Sequence, residues 1–327
     1  MLLSECTRVD PTPGSICSAE NSNYGFQPEL WVGIVFSTLF GLEVLIHTGL
    51  LFYHRFFPKF MIVAITAACG ELAGWIARTY GHNDPFDRNG YIAQIICLIL
   101  SPAFISAVNY LAFQHIMDVF GHKWSRISRK WYVLAFCAGD LASLVVQAVG
   151  GALSAEADTE SQINLGKSVM IAGVSVQVAV TAPFMLLYLD YNLRRLREWA
   201  SIPRDERPHK KLEIFTGIIG VSTLFILVRC IYRIVEMADG WVGYLATTPV
   251  YFDVLDGLMI LLAIGIFIPF HPGWFLSPYA EKGRVCNAAD FLEVEKPTKI
   301  GTEGPHNSAD PSSPSMVSSL HSGQSPA

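Results

Sequence analysis

Between positions 30 and 270 the chain alternates seven apolar stretches with short polar ones. The stretches run 30–52, 60–77, 90–113, 131–153, 168–189, 212–235 and 244–270. Each is about 20 residues long, or about 30 Å as helix, which matches the hydrocarbon core of a bilayer. Runs such as 258–270 are continuously apolar, whereas the strands of a membrane barrel alternate apolar and polar positions. The pattern therefore predicts an all-α, polytopic membrane protein, with seven transmembrane helices in one bundle. Composition agrees: 51% of residues are hydrophobic and 16% charged, against about 25% charged in a soluble domain.

Basic residues set the expected orientation. Seventeen of the 23 Lys and Arg fall in four segments on one side, among them Arg55, Lys59, Lys123, Arg126 and seven between Arg194 and Lys211. By the positive-inside rule that side is the cytosol, so the N-terminus is expected outside and the C-terminus inside. The domains expected are a short extracellular segment over 1–29, the helical domain over 30–275, and a cytosolic, disordered Ser/Pro-rich tail over 276–327. The first thirty residues lack a charged start followed by an apolar core, so no cleavable signal peptide is expected and the first span directs insertion. Cys6 and Cys17 lie in the outer segment, where a disulfide is permitted, with free thiols as the alternative. The basic loop over 191–212 fixes topology and could also touch lipid headgroups.

Polar residues at membrane depth carry the functional information, because an ionised group there usually faces the bundle interior with a partner. Helical spacing places them on stripes: Glu43 with His47, Glu71 with Arg78, Asp140 with Ser143 and Gln147, Arg229 with Arg233 and Glu236, and Asp253 with Asp256. Counting from the cytosolic ends at about 1.5 Å per residue puts Glu71, Arg78, Gln94, Gln147, Arg229, Arg233 and Glu236 in the outer half, with Asp140 and Asp256 beneath. A pocket open to the outer leaflet or outer water is expected. Six acids face only Arg78, Arg229 and Arg233, and an unpaired carboxylate in such a site takes up a proton or binds a cation. Buried ion pairs that fix helix rotation are the structural alternative. Gly70, Gly74, Gly150, Gly151, Gly173 and Gly217 would then allow close helix approach. Pro102, Pro183 and Pro249 are expected to kink their helices.

Several motifs resemble one family. They are the run from Gly70 to Arg78 (GELAGWIAR), Tyr91 with Gln94, Ser101 to Phe104 with Tyr110, Gly139-Asp140 leading to Gln147 and Gly151, and Gly173 with Gln177. They continue with Arg229, Arg233 and Glu236, then Asp256, then His271-Pro272. Taken in order over about residues 24 to 275, they resemble the fungal lipid-translocating exporter family, the RTA-like seven-span proteins. The resemblance implies a fungal membrane protein with an outside N-terminus. It also implies resistance to toxic amphiphiles such as sterol amines, movement of sphingoid long-chain bases, or in one branch porphyrin uptake. The chain departs from that pattern at His115, where an Arg is usual, and at 247–250, where an acid is usual.

Other classes fit less well. No lysine lies between Lys211 and Lys282, so a retinal Schiff base has no partner. A zinc hydrolase needs convergent ligands, and His47 is the one histidine well inside a span. No phosphate-binding G-x-x-x-x-G-K-[ST] loop is present. The expectation is therefore a transporter of an amphipathic lipid or toxic amphiphile, with a lipid or stress sensor as the alternative. Neither an enzyme activity, a cofactor, a metal nor a nucleic-acid partner is expected. The location is multi-pass membrane, the plasma membrane first. Glu71, Asp140, Glu236 and Asp256 are expected to carry the cation or proton. Arg229 and Arg233 pair with these acids or with an anionic headgroup, Gln94, Gln147 and Gln177 orient polar groups, and Arg78 is counted with them among the binding or coupling residues. Glu71→Gln and Asp256→Asn are both expected to abolish transport at near-normal surface expression.

Overall fold

The computed structural model describes residues 6–275, apart from 11, 13, 14, 55–57, 122, 156–158, 201–209 and 240–242. The tail expected over 276–327, and Arg204 and Arg207 of the basic loop, lie outside the described residues. Among those described, the regular elements are helical and no strand occurs. Six helices are long and apolar enough to cross a membrane: α1 (Leu30–Tyr53), α2 (Pro58–Asn83), α3 (Arg88–Phe120), α4 (Arg129–Ala155), α5 (Glu160–Trp199) and α6 (Lys210–Asp239).

The seventh apolar stretch is in pieces. It consists of α7 (Tyr244–Thr247), α8 (Pro249–Phe252), a π-helical turn (Asp253–Leu258) and α9 (Met259–Gly265), followed by turns to Phe270. Thr248, which precedes a proline, is extended at φ −104°, ψ 97°, and this separates α7 from α8. Pro249 thus starts a helix, where its missing N–H leaves no intrahelical bond unmade. Pro102 and Pro183 lie inside α3 and α5, and neither divides its helix into two.

Helix ends follow local chemistry. Asp87 caps α3 by accepting from Asn89 N (3.0 Å) and Gly90 N (3.1 Å), and Gly121 ends that helix at φ 99°. Thr159 and Gln162 form a capping box at the start of α5. That helix has 40 residues, or about 60 Å, far more than a bilayer core requires. The basic loop expected from residue 191 is consequently helical to Trp199. Its Arg195 is buried, with the guanidinium 4.0 Å above the Phe120 ring and 4.8 Å from that of Trp199. The α3–α4 connection is tied to the same helix end by Arg126 on Asp190 (2.7 and 3.2 Å) and by Lys123 and Trp124 on Glu198 (2.7 and 2.6 Å).

Consecutive helices pack side by side, and α6 also packs on α3 and α9. The α4–α5 seam is closest because its glycines meet backbone: a Cβ on Gly173 would stand 2.8 Å from Gln147 N, and one on Gly150 2.6 Å from Met170 N. Gly70 and Gly74 likewise face α3, whereas Gly151 and Gly217 face open space and contribute no close approach. Outward positions such as Leu45, Leu134, Leu186 and Leu224 are exposed and apolar, as a lipid-facing surface requires. One end of the core is aromatic, with Phe113 making edge contacts to Tyr132, Phe184, Tyr188 and Tyr191 at 5.2–5.8 Å. At the other end the N-terminal segment folds back onto the bundle.

Candidate functional site

The N-terminal segment is held by a Cys6–Cys17 disulfide and by bonds to the α2–α3 corner. Asn23 N donates to the Pro85 carbonyl (3.3 Å), Gln27 Nε2 to the His82 carbonyl (3.3 Å), and the His82 ring meets the Pro28 carbonyl (2.7 Å). Tyr24 inserts deepest. Its ring meets Tyr91 edge-on at 4.8 Å and its hydroxyl donates to Gln94 Oε1 at 2.8 Å. Burial, partly opposed by the Arg78 charge, raises the Tyr24 hydroxyl to about 12, so it remains a donor at neutral pH.

Under this segment lies a cavity of about 90 Å³. Tyr24 and Phe26 roof it, and Arg78, Tyr91, Gln94, Lys167, Arg233 and Glu236 supply polar walls. Leu98, Met170, Met237 and Phe252 supply apolar ones. Such a volume holds about three water molecules or a compact polar headgroup, so an alkyl chain must lie elsewhere. A polar wall on an apolar frame is the usual make-up of a small-molecule site.

Three ion pairs organise the cavity and the layer beneath it. Arg78 meets Asp253 at 3.6 Å, Arg233 Nη1 donates to Glu236 Oε2 at 2.7 Å, and Arg229 Nε lies 2.9 Å from Asp256 Oδ1. Arg233 is also 3.9 Å from Asp256, and Tyr232 donates to Glu236 at 3.1 Å. The π turn accounts for the division of the two aspartates. Its wider spacing splays Asp253 towards α2 and Asp256 towards α6. The Arg78 guanidinium also sits 4.5 Å from the Phe252 ring centroid.

Of the six acids, three are thereby matched by arginines, leaving Glu43, Glu71 and Asp140 with no cation paired among the described residues. Asp140 accepts from Tyr110 at 2.9 Å. Glu71 is fully buried, and both its oxygens lack a hydrogen-bond partner among the described residues, although the Trp75 indole faces it. The charges of Arg229, Arg233 and Asp256 act on it, which places it one layer below the cavity.

The expected site residues therefore divide. Arg78, Gln94, Arg233 and Glu236 line the cavity; Glu71, Arg229 and Asp256 form its underlayer. Gln147 and Gln177 bond to each other at 3.2 Å across the α4–α5 seam and do not line it, and Asp140 stands with Tyr110 on the α3 side. Sequence reasoning passed over Tyr24, Lys167 and Phe252 as site residues, because the first lies outside every span, the second just before one, and the third reads as ordinary apolar core. The stripe that includes Asp253 was visible, though not its pairing with Arg78.

The fold and site define a multi-pass helical membrane protein with a small polar cavity at the end of its bundle. The chain belongs to the RTA1-like protein family, whose model matches residues 64–278. It is 32% identical to the sphingoid long-chain base transporter RSB1 of Saccharomyces cerevisiae in an alignment 301 positions long that covers 82% of this chain and 77% of that one. It is 25% identical to the protein RTA1 of the same yeast, over 76% of this chain and 84% of that one. A third yeast relative, protoporphyrin uptake protein 1, is 29% identical over 68% of this chain and 70% of its own. No solved structure matches the chain.

Proposed function

We propose that this chain translocates an amphiphile with a cationic headgroup, of the sphingoid long-chain base class, across the plasma membrane. In this reading it spans the bilayer seven times, with the pieces from α7 to α9 forming the last crossing and the N-terminus outside. The bias of basic residues towards the opposite side supports that orientation. Its work is carriage and not catalysis, in line with the named activity of the RSB1 relative.

The observation that carries the proposal is the charge count at the cavity. Arg78, Arg229 and Arg233 are each paired with an aspartate or glutamate, and Glu71 beneath them has no cation paired with it among the described residues. One ammonium group brought to an ionised Glu71 supplies the cation that this acid lacks, whereas an anionic headgroup would meet arginines already committed to acids and only Lys167, which bonds the Ala238 carbonyl at 3.4 Å, on the cavity wall. The cavity volume suits a headgroup, and Leu98, Met170 and Met237 continue it with an apolar wall for the first methylenes of a chain.

The test is movement of a fluorescently labelled sphinganine across proteoliposomes holding the purified chain, with Glu71→Gln protein beside it. Movement that needs Glu71 supports a carrier. Saturable binding without movement would make the chain a sensor and overturn the proposal.

A further inference from the structure

The cavity and its underlayer account for Glu71, but not for the polar groups between it and the opposite end of the bundle. Glu43 and His47 stand one turn apart on α1, 5% and 0% exposed. One Glu43 oxygen and both His47 ring nitrogens close no hydrogen bond among the described residues, although the Ile264 carbonyl faces the His47 ring. Burying a polar atom without a partner costs about 1–3 kcal/mol, and native folds rarely retain several in one place without a use for them.

These groups form a file along the bundle. Glu43 is within electrostatic reach of Glu71, His47 follows it four residues on, and His271 is within reach of His47. The His271 ring stacks on His54 at 4.9 Å, and His54 Nε2 is buried with no partner among the described residues. Among the described residues, the other titratable groups that act on Glu71 or feel it are Arg229, Arg233, Asp256 and Cys97. Towards the other end, Glu43 is faced by Glu71 alone among the described titratable groups, His47 by His271, and His271 by His54 and Met61.

Two glycines leave space along this file. A Cβ on Gly265 would stand 2.6 Å from Glu43 Oε1, and one on Gly273 2.6 Å from the His54 ring and 2.8 Å from His271 Nδ1. Any other residue at either place would restrict the movement of a carboxylate or imidazole that has to meet two neighbours in turn.

We propose that Glu43 and His47 are a proton relay joining Glu71 to the His54–His271 pair, so that the chain exchanges one proton for each ammonium-headed amphiphile. This rests on the carrier reading above. Binding of the ammonium to Glu71 releases the proton of its carboxylic acid to the Glu43 carboxylate. Glu43 passes a proton to one nitrogen of His47, and the other nitrogen of the resulting imidazolium releases one towards His271 and His54. One positive charge crosses in each direction, so the cycle is electroneutral and a pH gradient can drive it.

The experiment follows labelled sphinganine and luminal pH together in proteoliposomes of the full chain. The expected result is one proton counter-moved per lipid for the native protein. Proton movement is expected to fall at least about tenfold in Glu43→Gln and His47→Phe and to recover in part in Glu43→Asp. Binding of the labelled base in detergent at native affinity reports that each variant has folded. Where Glu43→Gln does not fold, Gly265→Ala keeps every titratable group and is expected to slow proton movement severalfold. Lipid movement without proton movement, or variants that move protons at the native rate, overturns the relay and leaves the carrier reading standing. Proton movement without lipid movement supports the relay and overturns the carrier reading; neither movement overturns both.

Discussion

Arg229 Nε lies 2.9 Å from Asp256 Oδ1, and the two side chains are 4% and 1% exposed. A second guanidinium nitrogen of Arg229 donates to the Leu98 carbonyl at 2.7 Å, so the pair ties α6 to both α3 and the π turn. Removing one member of a buried pair leaves the other charged and unpaired. Asp256→Asn is therefore expected to lower stability by about 3–5 kcal/mol, read as a fall in melting temperature in detergent. Joint replacement by apolar residues, Arg229→Met with Asp256→Leu, is expected to restore most of that stability and still not transport. Equal melting of the single and double variants would show that the pair does not hold the helices.

Glu71 behaves differently, because neither of its oxygens closes a hydrogen bond among the described residues, although the Trp75 indole faces it. Glu71→Gln keeps shape and volume, and its expected effect on stability is within about 1 kcal/mol. Sphinganine movement is expected to fall at least about tenfold, as for other functional acids at membrane depth. A melting temperature lowered as far as in Asp256→Asn would assign Glu71 a structural role instead.

The disulfide between Cys6 and Cys17 closes a short loop in the segment that roofs the cavity. Replacing both by Ser is expected to loosen that segment by about 2–3 kcal/mol. The readout is faster hydrogen exchange at Ser15 to Gln27, with the helices unchanged. Labelled base should then reach the cavity faster and leave it faster.

The same roof has an alkaline limit. Burial, the main cause, raises the Tyr24 hydroxyl from 10.0 to about 12 in the folded state. A raised acid stabilises the fold fully below its unfolded value, and that contribution is lost as pH climbs from about 10 to about 12. Segment opening followed by hydrogen exchange should stay flat below pH 10 and rise above it in the native protein. In Tyr24→Phe it should be faster throughout and lack that rise.

Arg195 lies between Phe120 and Trp199 and donates to Asn192 at 3.1 Å. Arg195→Ala removes both stacking and packing of a buried side chain, with an expected loss of about 2 kcal/mol. Arg197→Ala, on an exposed neighbour of the same turn, is expected to change melting little. Similar losses for both would mean that the basic turns act through charge and not through this stack.

Six of the seven expected crossings were legible because a continuous apolar run has few places to go in water and because every helix satisfies its own backbone. The seventh was visible as an apolar run but not as a broken one. Thr248 before Pro249 gave the local signal for the first break, whereas no comparable local signal marked the π turn at Asp253–Leu258, which sends two acids to cations on different neighbours. Helix length was misjudged at α5 for a related reason. Charged residues after Leu189 read as a loop, yet Asp190, Arg195 and Glu198 find partners on the α3 side of the bundle that keep the helix going.

The sequence by itself determined that this is a helical membrane protein of the RTA1-like kind and which polar residues turn inward, since both follow from local periodicity and from motifs read in order. Which acids are matched by arginines, and hence which are free to meet a ligand or a proton, only the tertiary structure decided. Pairing depends on the rotation and depth of one helix against another. Inward-facing acids therefore yield a structural tie at Asp256 and, among the described residues, a carboxylate without a hydrogen-bond partner at Glu71. Nor could periodicity bring Tyr24 over Gln94, a contact across 70 residues that exists because the N-terminal segment folds back onto the bundle.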